Sequence, residues 1–153
     1  MNTLRPSGRP LAVTEEEGSS ARPAHSPPRP RVFVVDDEDF IRDLYKDIFE
    51  SQGITVFSAQ SGEEALEIFK TLKHKPDAVI MDYRMPGRDG IETTRELLRL
   101  DPNIPIIFSS ADESVRDKAL EAGAISFWSK PFPVGMLVNA MMDILDAKKR
   151  SSV

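Results

Sequence analysis

Four short apolar runs in this chain each end abruptly at a polar residue, and this repetition constrains the fold more than any other feature. The runs are 32–35 before Asp36-Asp37, 78–81 before Asp82, 106–108 before Ser109-Ser110 and 125–128 before Ser129-Lys130. If the runs are parallel strands of one sheet, their polar ends meet at its carboxyl edge, where open α/β sheets bind ligands. The sequence therefore predicts a site at which carboxylates, a hydroxyl and an ammonium converge.

Helical patterns separate these runs, so strands and helices alternate from Arg31 onward. Apolar residues recur in the intervening segments at the 3.6-residue period of amphipathic helices. The predicted strands are 31–36, 54–58, 77–81, 106–108 and 125–128, and the predicted helices are 39–51, 61–72, 91–100, 112–122 and 133–147. Asp39 and Ser61 are predicted helix caps, Ser61 in a capping box with Glu64, and Gly53 is a predicted left-handed cap. Five such units predict an α/β doubly wound parallel sheet in a three-layer sandwich.

Composition divides the chain into an extension, one domain and a short tail. Residues 1–30 contain six of the twelve prolines and hardly an apolar residue, so they cannot bury enough surface to offset the entropy of ordering. We predict a disordered, Pro/Arg-rich extension there, with a proline-rich docking motif as the alternative. Residues 31–147 are predicted to form a single domain, and residues 148–153 a flexible C-terminal tail.

The distribution of charge and the residue types that are missing exclude several functions. Residues 1–30 carry +1 from four Arg and three Glu, so a net charge of -5 leaves -6 for the remainder. An acidic domain is a poor candidate for direct nucleic-acid binding, since duplex affinity depends on Lys and Arg that neutralise phosphates. The absence of cysteine excludes disulfides and thiolate chemistry. Without a membrane-length apolar stretch or a signal-peptide core, we expect a cytoplasmic protein with no membrane insertion.

Three carboxylates, those of Asp36, Asp37 and Asp82, are predicted to lie together at the strand ends. Like charges in a partly buried cleft raise one another's pKa unless a cation compensates them. Oxygen ligands favour a hard divalent ion, Mg²⁺ or Mn²⁺, so these residues are candidate metal ligands. The alternative is that some of these Asp residues only cap the helices that follow.

A cation and a hydroxyl are predicted to join the three acids. Lys130 follows the last run, and its ammonium on a flexible stem can pair with Asp82 and equally with a phosphoryl oxygen. Ser110 offers a hydroxyl that could hydrogen-bond a phosphoryl group, although Ser109 offers the same chemistry one residue earlier. Together these residue types suit phosphoryl chemistry supported by a metal ion.

The order and spacing of these motifs resemble the receiver domain of two-component response regulators, of the single-domain, chemotaxis-regulator-like kind. The motifs are Asp36-Asp37, Met81-Asp82-Tyr83-Arg84-Met85-Pro86 with Asp89-Gly90, Ser110-Ala111 and Lys130-Pro131-Phe132. The resemblance extends over about residues 31–147. It implies a flavodoxin-like, five-stranded parallel sheet with the strand order 2-1-3-4-5.

The resemblance implies a role for each acidic residue. Asp82 would be the phosphoacceptor, attacking the phosphorus of a partner kinase's phosphohistidine to give an acyl phosphate. Asp37, Asp82 and the main-chain carbonyl of Arg84 would bind Mg²⁺ directly, and Asp36 would act mostly through a bound water. Such a protein catalyses its own phosphoryl transfer and dephosphorylation but is not a turnover enzyme.

The same resemblance implies how the phosphoryl group is held and sensed. Ser110 and Lys130 would bind two phosphoryl oxygens, and the Lys130–Pro131 peptide bond would be cis. Phosphorylation would draw Ser110 toward Asp82, and Phe127 on the fifth strand would swing inward into the vacated space. The alternative is that Phe127 belongs permanently to the core.

The resemblance also implies that two further residues, Arg84 and Asp112, tune the lifetime of the phosphoryl group. They lie two positions after Asp82 and two after Ser110, and they carry opposite charges. Facing each other across the pocket, they could form a lid that hinders an attacking water. The alternative is an exposed ion pair of little energetic weight.

The implied partners are separate proteins. A sensor histidine kinase or a phosphotransfer protein would donate the phosphoryl group, and a downstream protein would bind the surface formed by strand 4, helix 4, strand 5 and helix 5. A phosphorylation-dependent homodimer through the last helix and the fifth strand is a further expectation.

Two other functions are open at this point. A Mg²⁺-dependent phosphohydrolase of the haloacid dehalogenase kind, also with an Asp nucleophile, would use an Asp-x-Asp pattern, whereas this chain has Glu38 at the second acidic position. A degenerate receiver acting as a protein-interaction scaffold would lack acceptor, metal or phosphate-holding residues, and all of these types are present. Multiple turnovers of a small phosphate ester would favour the hydrolase.

Overall fold

Strands and helices alternate along residues 28–151, which are the residues that the structure, a computed structural model, describes. In chain order they are β1 (Arg31–Val35), α1 (Asp39–Glu50), β2 (Thr55–Ala59), α2 (Gly62–Thr71), β3 (Ala78–Asp82), α3 (Gly90–Leu100), β4 (Ile106–Ser110), a 3₁₀ turn (Glu113–Val115), α4 (Arg116–Ala122), β5 (Ser126–Ser129) and α5 (Val134–Ser151). The predicted alternation of strands and helices is confirmed. The predicted extension, apart from residues 28–30, and the last two residues of the predicted tail lie outside the described residues.

All five strands are parallel and form one sheet in the order β2-β1-β3-β4-β5, which confirms the order that the resemblance implies. The register pairs Val34 of β1 with Ile80 of β3, and Ile80 with Ile107 of β4. Because the strands run in one direction, the residues that follow them leave the sheet at the same edge. The polar ends of the apolar runs are thereby brought together.

Helices cover both faces of the sheet, which gives the predicted three layers. One face packs against α2, α3 and α4 and contributes Phe33 and Phe108 to a first core cluster. The other face packs against α1 and α5 and contributes Val34 and Ile107 to a second cluster. Burial on both faces explains why the strands read as continuous apolar runs rather than as alternating patterns.

The helix starts confirm one predicted cap and correct another. The Ser61 hydroxyl accepts a hydrogen bond from the Glu64 N–H at 3.1 Å, as predicted. The Glu64 carboxylate accepts from the Gln60 N–H at 2.8 Å, one residue before the partner that a capping box requires. The prediction that Asp39 caps α1 is wrong, because Glu38 occupies the cap position without a side-chain cap bond and Asp39 is the first helical residue.

The turn after α1 confirms one prediction, and the start of α4 corrects another. Gly53 has a φ of 82°, which confirms the left-handed conformation after α1. The prediction of a continuous helix over 112–122 is wrong for residues 112–115. Asp112 caps the 3₁₀ turn Glu113–Val115, and α4 begins only at Arg116. The Asp112 carboxylate accepts from the Ser114 N–H at 3.0 Å, and this local bond favours a turn over a regular first helical turn.

The last helix extends to Ser151, whereas the pattern predicts an end at Ala147. Residues 148–151, predicted to belong to the flexible tail, therefore continue α5. Lys and Arg are good helix formers and are favourable near a helix C-terminus, and Lys148 also pairs with Asp77 at 3.1 Å. Although α5 has 18 residues, neither it nor any other helix within 28–151 is apolar enough over a sufficient length to cross a membrane.

Candidate functional site

Three carboxylates meet at the carboxyl edge of the sheet, as the sequence predicts. Asp36 and Asp37 follow β1, and Asp82 is the last residue of the adjacent strand β3. One carboxylate oxygen from each residue lies within 4.8 Å of the others. Asp36 and Asp82 are buried whereas Asp37 is exposed. The cluster therefore has two acids set into the protein and one that faces solvent.

Lys130 places an ammonium against the two buried acids. Its Nζ lies 3.2 Å from Asp82 Oδ1 and 3.5 Å from Asp36 Oδ2. The Lys130 N–H donates to the Ser110 carbonyl at 2.9 Å, which continues the β4–β5 pairing beyond β5. The Lys130–Pro131 peptide bond is cis, as the resemblance implies. One positive charge thus compensates part of the negative charge of the cluster.

The pKa values of Asp36, Asp82 and Lys130 are shifted by burial and by the charges of their neighbours. Burial and the charge of Asp36 raise the pKa of Asp82 from 3.8 to about 6, although Lys130 lowers it. Burial raises the pKa of Asp36 as well, against the opposing effect of the Glu38 N–H that donates to its carboxylate at 2.9 Å. Burial lowers the pKa of Lys130, but the two carboxylates outweigh burial and the pKa lies above its usual value. The ammonium therefore stays charged while the acids are only partly compensated.

Ser110 is the last residue of β4 and is buried beside this edge. Its Oγ accepts a hydrogen bond from the Asp112 N–H at 3.0 Å. Since a hydroxyl also donates one proton, Ser110 keeps a donor for another acceptor. Ser109 is also buried. It pairs with Asp82 in the register of β3 and β4, so Ser110, which follows it, lies nearer the end of β4.

Arg84 and Asp112, which follow β3 and β4 respectively, are in contact with each other. Arg84 Nη2 lies 3.3 Å from Asp112 Oδ2. The Arg84 side chain is 77% exposed, so solvent weakens this pair. Hydrogen bonds from Ser114 are the main reason why the pKa of Asp112 is lowered, with a smaller effect of Arg84. The two residues that the sequence analysis assigns to a lid are in contact.

Phe127 occupies a position between surface and core. Its ring stacks on Phe108 with centroids 6.1 Å apart, and the residue is half-buried. On the other face of the sheet Trp128 packs edge-to-face with Phe132 at 5.4 Å. Phe127 is therefore neither fully buried nor free of the core in this structure.

Sequence reasoning missed several residues that shape the site. Asp89 and Glu92 form a complete capping box at the start of α3, which the spacing Asp-x-x-Glu could have indicated. Arg42 donates from Nη1 to the main-chain carbonyl of Asp36 at 2.6 Å. Gly90 lies against the backbone of Asp82. The last two contacts depend on tertiary placement, and no local pattern signals them.

The donor set of the cluster fits a hard divalent cation. Three carboxylates converge at one opening, and within residues 28–151 no second group of this kind is found. Carboxylate and carbonyl oxygens are the ligands that Mg²⁺ and Mn²⁺ prefer, and the group consists of three aspartates with no histidine or cysteine. The excess of negative charge over the single ammonium would be offset by such an ion.

Comparisons with known proteins agree with this geometry. A family model of the response regulator receiver domain matches residues 32–142. The chemotaxis protein CheY of Halobacterium salinarum is 39% identical over 119 residues, which cover 76% of this chain and 98% of that protein. CheY-like relatives of this kind are signalling proteins rather than classical enzymes.

Solved structures with the same fold include two response-regulator complexes that contain magnesium and a beryllium fluoride. The response regulator TrrA of Thermotoga maritima in complex with Mg(2+)-BeF superposes with a TM-score of 0.67 at 32% identity, covering 75% of this chain and 98% of that chain. The CheX-CheY-BeF3-Mg+2 complex of Borrelia burgdorferi matches with a TM-score of 0.69 at 30% identity, covering 76% and 89%. With the family match and the sheet order together, this chain belongs to the response regulator receiver domain family.

Proposed function

We propose that this chain is a phosphoacceptor switch that takes a phosphoryl group onto Asp82 from the phosphohistidine of a sensor kinase or phosphotransfer protein. The observation that carries the proposal is the placement of the Lys130 ammonium 3.2 Å from Asp82 within a cluster of three carboxylates. A carboxylate nucleophile, a cation-binding cluster and a fixed ammonium are the parts that phosphoryl transfer requires.

The nucleophile in this proposal is a carboxylate oxygen of Asp82. It forms a bond to phosphorus while the bond between phosphorus and the donor's imidazole nitrogen breaks, and the imidazole keeps the electron pair. A pKa of about 6 leaves Asp82 mostly ionised at neutral pH, so its lone pair is available for attack. Burial keeps the carboxylate poorly solvated and therefore reactive.

Asp37, Asp82 and the main-chain carbonyl of Arg84 are proposed to hold Mg²⁺, with Asp36 acting mostly through a water. Bound there, the ion would offset charge on the transferring phosphoryl oxygens. The similar regulator TrrA is known in complex with Mg(2+)-BeF, which supports a cation at this place. The convergence of the three carboxylates supports the assignment independently.

Ser110 and Lys130 are proposed to bind two phosphoryl oxygens and to start the response. A new acceptor at Asp82 would attract the Ser110 hydroxyl and move the loop after β4, because Ser110 Oγ is bonded to the Asp112 N–H in that loop. Phe127, half-buried against Phe108, would then turn inward. The altered surface of β4, α4, β5 and α5 would bind a separate target protein or a second copy of this chain.

The direct test is intact-mass measurement after incubation with acetyl phosphate and Mg²⁺. The wild-type chain should gain one phosphoryl group and the Asp82→Ala variant none. Asp39→Ala is a matched control, because Asp39 is an exposed acid close to the cluster but outside it, and it should label like the wild type. Labelling of Asp82→Ala, or repeated turnover of a small phosphate ester, would contradict the proposal and favour the hydrolase.

Removal of the Arg84 side chain is expected to speed loss of the phosphoryl group by about two- to fivefold, the range that an exposed ion pair can supply. The proposed reason is that the Arg84–Asp112 pair, whose side chains lie 3.3 Å apart beside the ends of β3 and β4, would hinder an attacking water. Arg88→Ala is the matched control, since Arg88 lies in the same loop but pairs with Glu63 instead. Decay of a radiolabelled phosphoryl group measures both, and an unchanged or slower decay in Arg84→Ala would reject the lid.

A further inference from the structure

Gly90, the first residue of α3, lies directly against the backbone of Asp82. Its N–H donates to the Tyr83 carbonyl at 2.9 Å. A Cβ added to Gly90 would lie 1.9 Å from the Asp82 carbonyl oxygen, 2.9 Å from the Asp82 carbonyl carbon and 3.0 Å from Tyr83 Cα. The φ of Gly90 lies outside the left-handed region, so close approach, rather than an unusual backbone angle, is what requires glycine here.

This contact differs from those of the other glycines in the described part of the chain. At Gly62 and Gly123 the closest atom to an added Cβ belongs to a side chain, Thr93 Oγ1 and Leu98 Cδ1 respectively, rather than to the backbone. Nothing lies within 4 Å at Gly53 or Gly135. Among the glycines of residues 28–151, Gly90 alone meets backbone atoms closer than 3.0 Å.

The first turn of α3 is itself fixed in place. The Asp89 carboxylate accepts from the Glu92 N–H at 2.9 Å, and the Glu92 carboxylate accepts from the Asp89 N–H at 3.2 Å. The Thr93 hydroxyl donates to the Asp89 carbonyl at 2.8 Å. These bonds lie within residues 89–93 and make the first turn of α3 rigid, and the Gly90 N–H bond to the Tyr83 carbonyl joins that turn to the end of β3.

We propose that Gly90 is a positioning residue for the phosphoacceptor site. By letting α3 contact the Asp82–Tyr83 peptide, it sets the position of the Asp82 carboxylate and of the neighbouring Arg84 carbonyl. This inference rests on the proposed function and deepens it. A Cβ would force the two backbones apart by about 1 Å, and a displacement of that size can cost about 100-fold in a reaction that depends on alignment.

The Gly90→Ala variant is expected to take up phosphoryl from acetyl phosphate about 10- to 100-fold more slowly. Its Kd for Mg²⁺, measured by isothermal titration calorimetry, should rise by about tenfold or more, because the ligands are displaced together. Gly123→Ala is the matched control. It is destabilising as well, since Gly123 has a φ of 116° and its Cβ would meet Leu98, but it lies at the end of α4 away from the acids.

In Gly123→Ala, the rate of phosphoryl uptake and the Kd for Mg²⁺ should stay within about twofold of wild type if the place of the added Cβ, rather than a general loss of stability, decides them. Wild-type labelling and Mg²⁺ affinity in Gly90→Ala would overturn the inference, and so would equal losses in Gly123→Ala. The Mg²⁺ titration tests the role of Gly90 even if the wild-type chain takes up no phosphoryl group. That result would overturn the proposed function but not the role of Gly90.

A second pair of variants keeps the test decisive if Gly90→Ala does not fold. Asp89→Ala and Asp89→Asn remove the same charge, but only Asn can still accept the Glu92 N–H as a helix cap. If the first turn of α3 positions the site, Mg²⁺ should bind about two- to fivefold more weakly to the Ala variant than to the Asn variant, because the Ala variant loosens that turn. Equal affinities would contradict it.

Discussion

Replacement of Asp82 by Asn is expected to raise the free energy of unfolding of the Mg²⁺-free domain by about 2 to 3 kcal/mol at neutral pH. The corresponding rise in Tm is about 5 to 10 °C. Burial and the charge of Asp36 raise the pKa of Asp82 from 3.8 to about 6. A carboxyl with a higher pKa in the folded than in the unfolded chain opposes folding wherever it is ionised, and Asn has nearly its shape without its charge.

The dependence on pH has a definite sign. Well below pH 4 the carboxyl is protonated in both states, and its charge makes no difference between Asp82 and Asn at this position. As the pH rises from about 4 to about 6 the unfolded chain releases its proton first, so the wild-type domain loses stability relative to the variant. Above that range the difference stays constant. Urea unfolding at a series of pH values without Mg²⁺ measures it.

Two controls test whether the stabilisation comes from removing the charge of Asp82 rather than from replacing any aspartate by asparagine. Asp77→Asn should destabilise the domain, because Asp77 accepts from the Arg31 N–H at 2.8 Å and pairs with Lys148 at 3.1 Å. Saturating Mg²⁺ should reduce the advantage of Asp82→Asn, since the ion binds the ionised folded site and stabilises the wild-type chain by mass action. An Asp82→Asn variant no more stable than wild type at neutral pH would contradict the prediction.

Replacement of Lys130 by Met is expected to slow phosphorylation by acetyl phosphate by about 10- to 100-fold while Mg²⁺ binds more tightly. The loss follows from the missing charge-assisted hydrogen bond to a phosphoryl oxygen, worth about 1.5 to 3 kcal/mol. The gain follows from removing a positive charge 3.2 Å from Asp82 and 3.5 Å from Asp36, which otherwise repels a cation. Met keeps the apolar stem of the side chain.

The opposite signs of the two changes make this prediction specific. Calorimetric Mg²⁺ titration and the initial rate of labelling measure them on the same preparation. Lys148→Met is the matched control, because Lys148 also pairs with a carboxylate but at a distance from the acids, and both quantities should stay at wild-type values. A Lys130→Met variant with unchanged labelling would show that the ammonium is only a structural counterion.

The sheet and the meeting of the acids could be predicted because both follow from local patterns. Strands buried on two faces read as apolar runs, and a parallel sheet brings the residue after each run to one edge. Asp36, Asp82 and Lys130 therefore needed no tertiary information to be assigned to one place. The strand order was available only through the resemblance to a family, since the pattern of runs does not fix which strands are neighbours.

The features that the sequence did not predict depend on contacts between distant segments, or on a side chain that forms a local hydrogen bond in place of a helical one. Asp112 uses its side chain to bind the Ser114 N–H, which replaces the start of a helix by a 3₁₀ turn. The contact of Gly90 with Asp82 exists only after α3 has packed beside β3. The extra turn of α5 depends in part on the pairing of Lys148 with Asp77, which joins residues 71 positions apart. Periodicity carries no information about such pairs.

Asp77 has a practical consequence for anyone who wishes to append a tag or a fluorescent label. It binds the start of β1 through Arg31 and the end of α5 through Lys148, so both of these segments come together beside the amino edge of the sheet. The carboxylates of Asp36, Asp37 and Asp82 lie at the opposite edge. We therefore expect a fusion attached at either side of residues 28–151 to leave the carboxylate cluster accessible to the proposed phosphodonor.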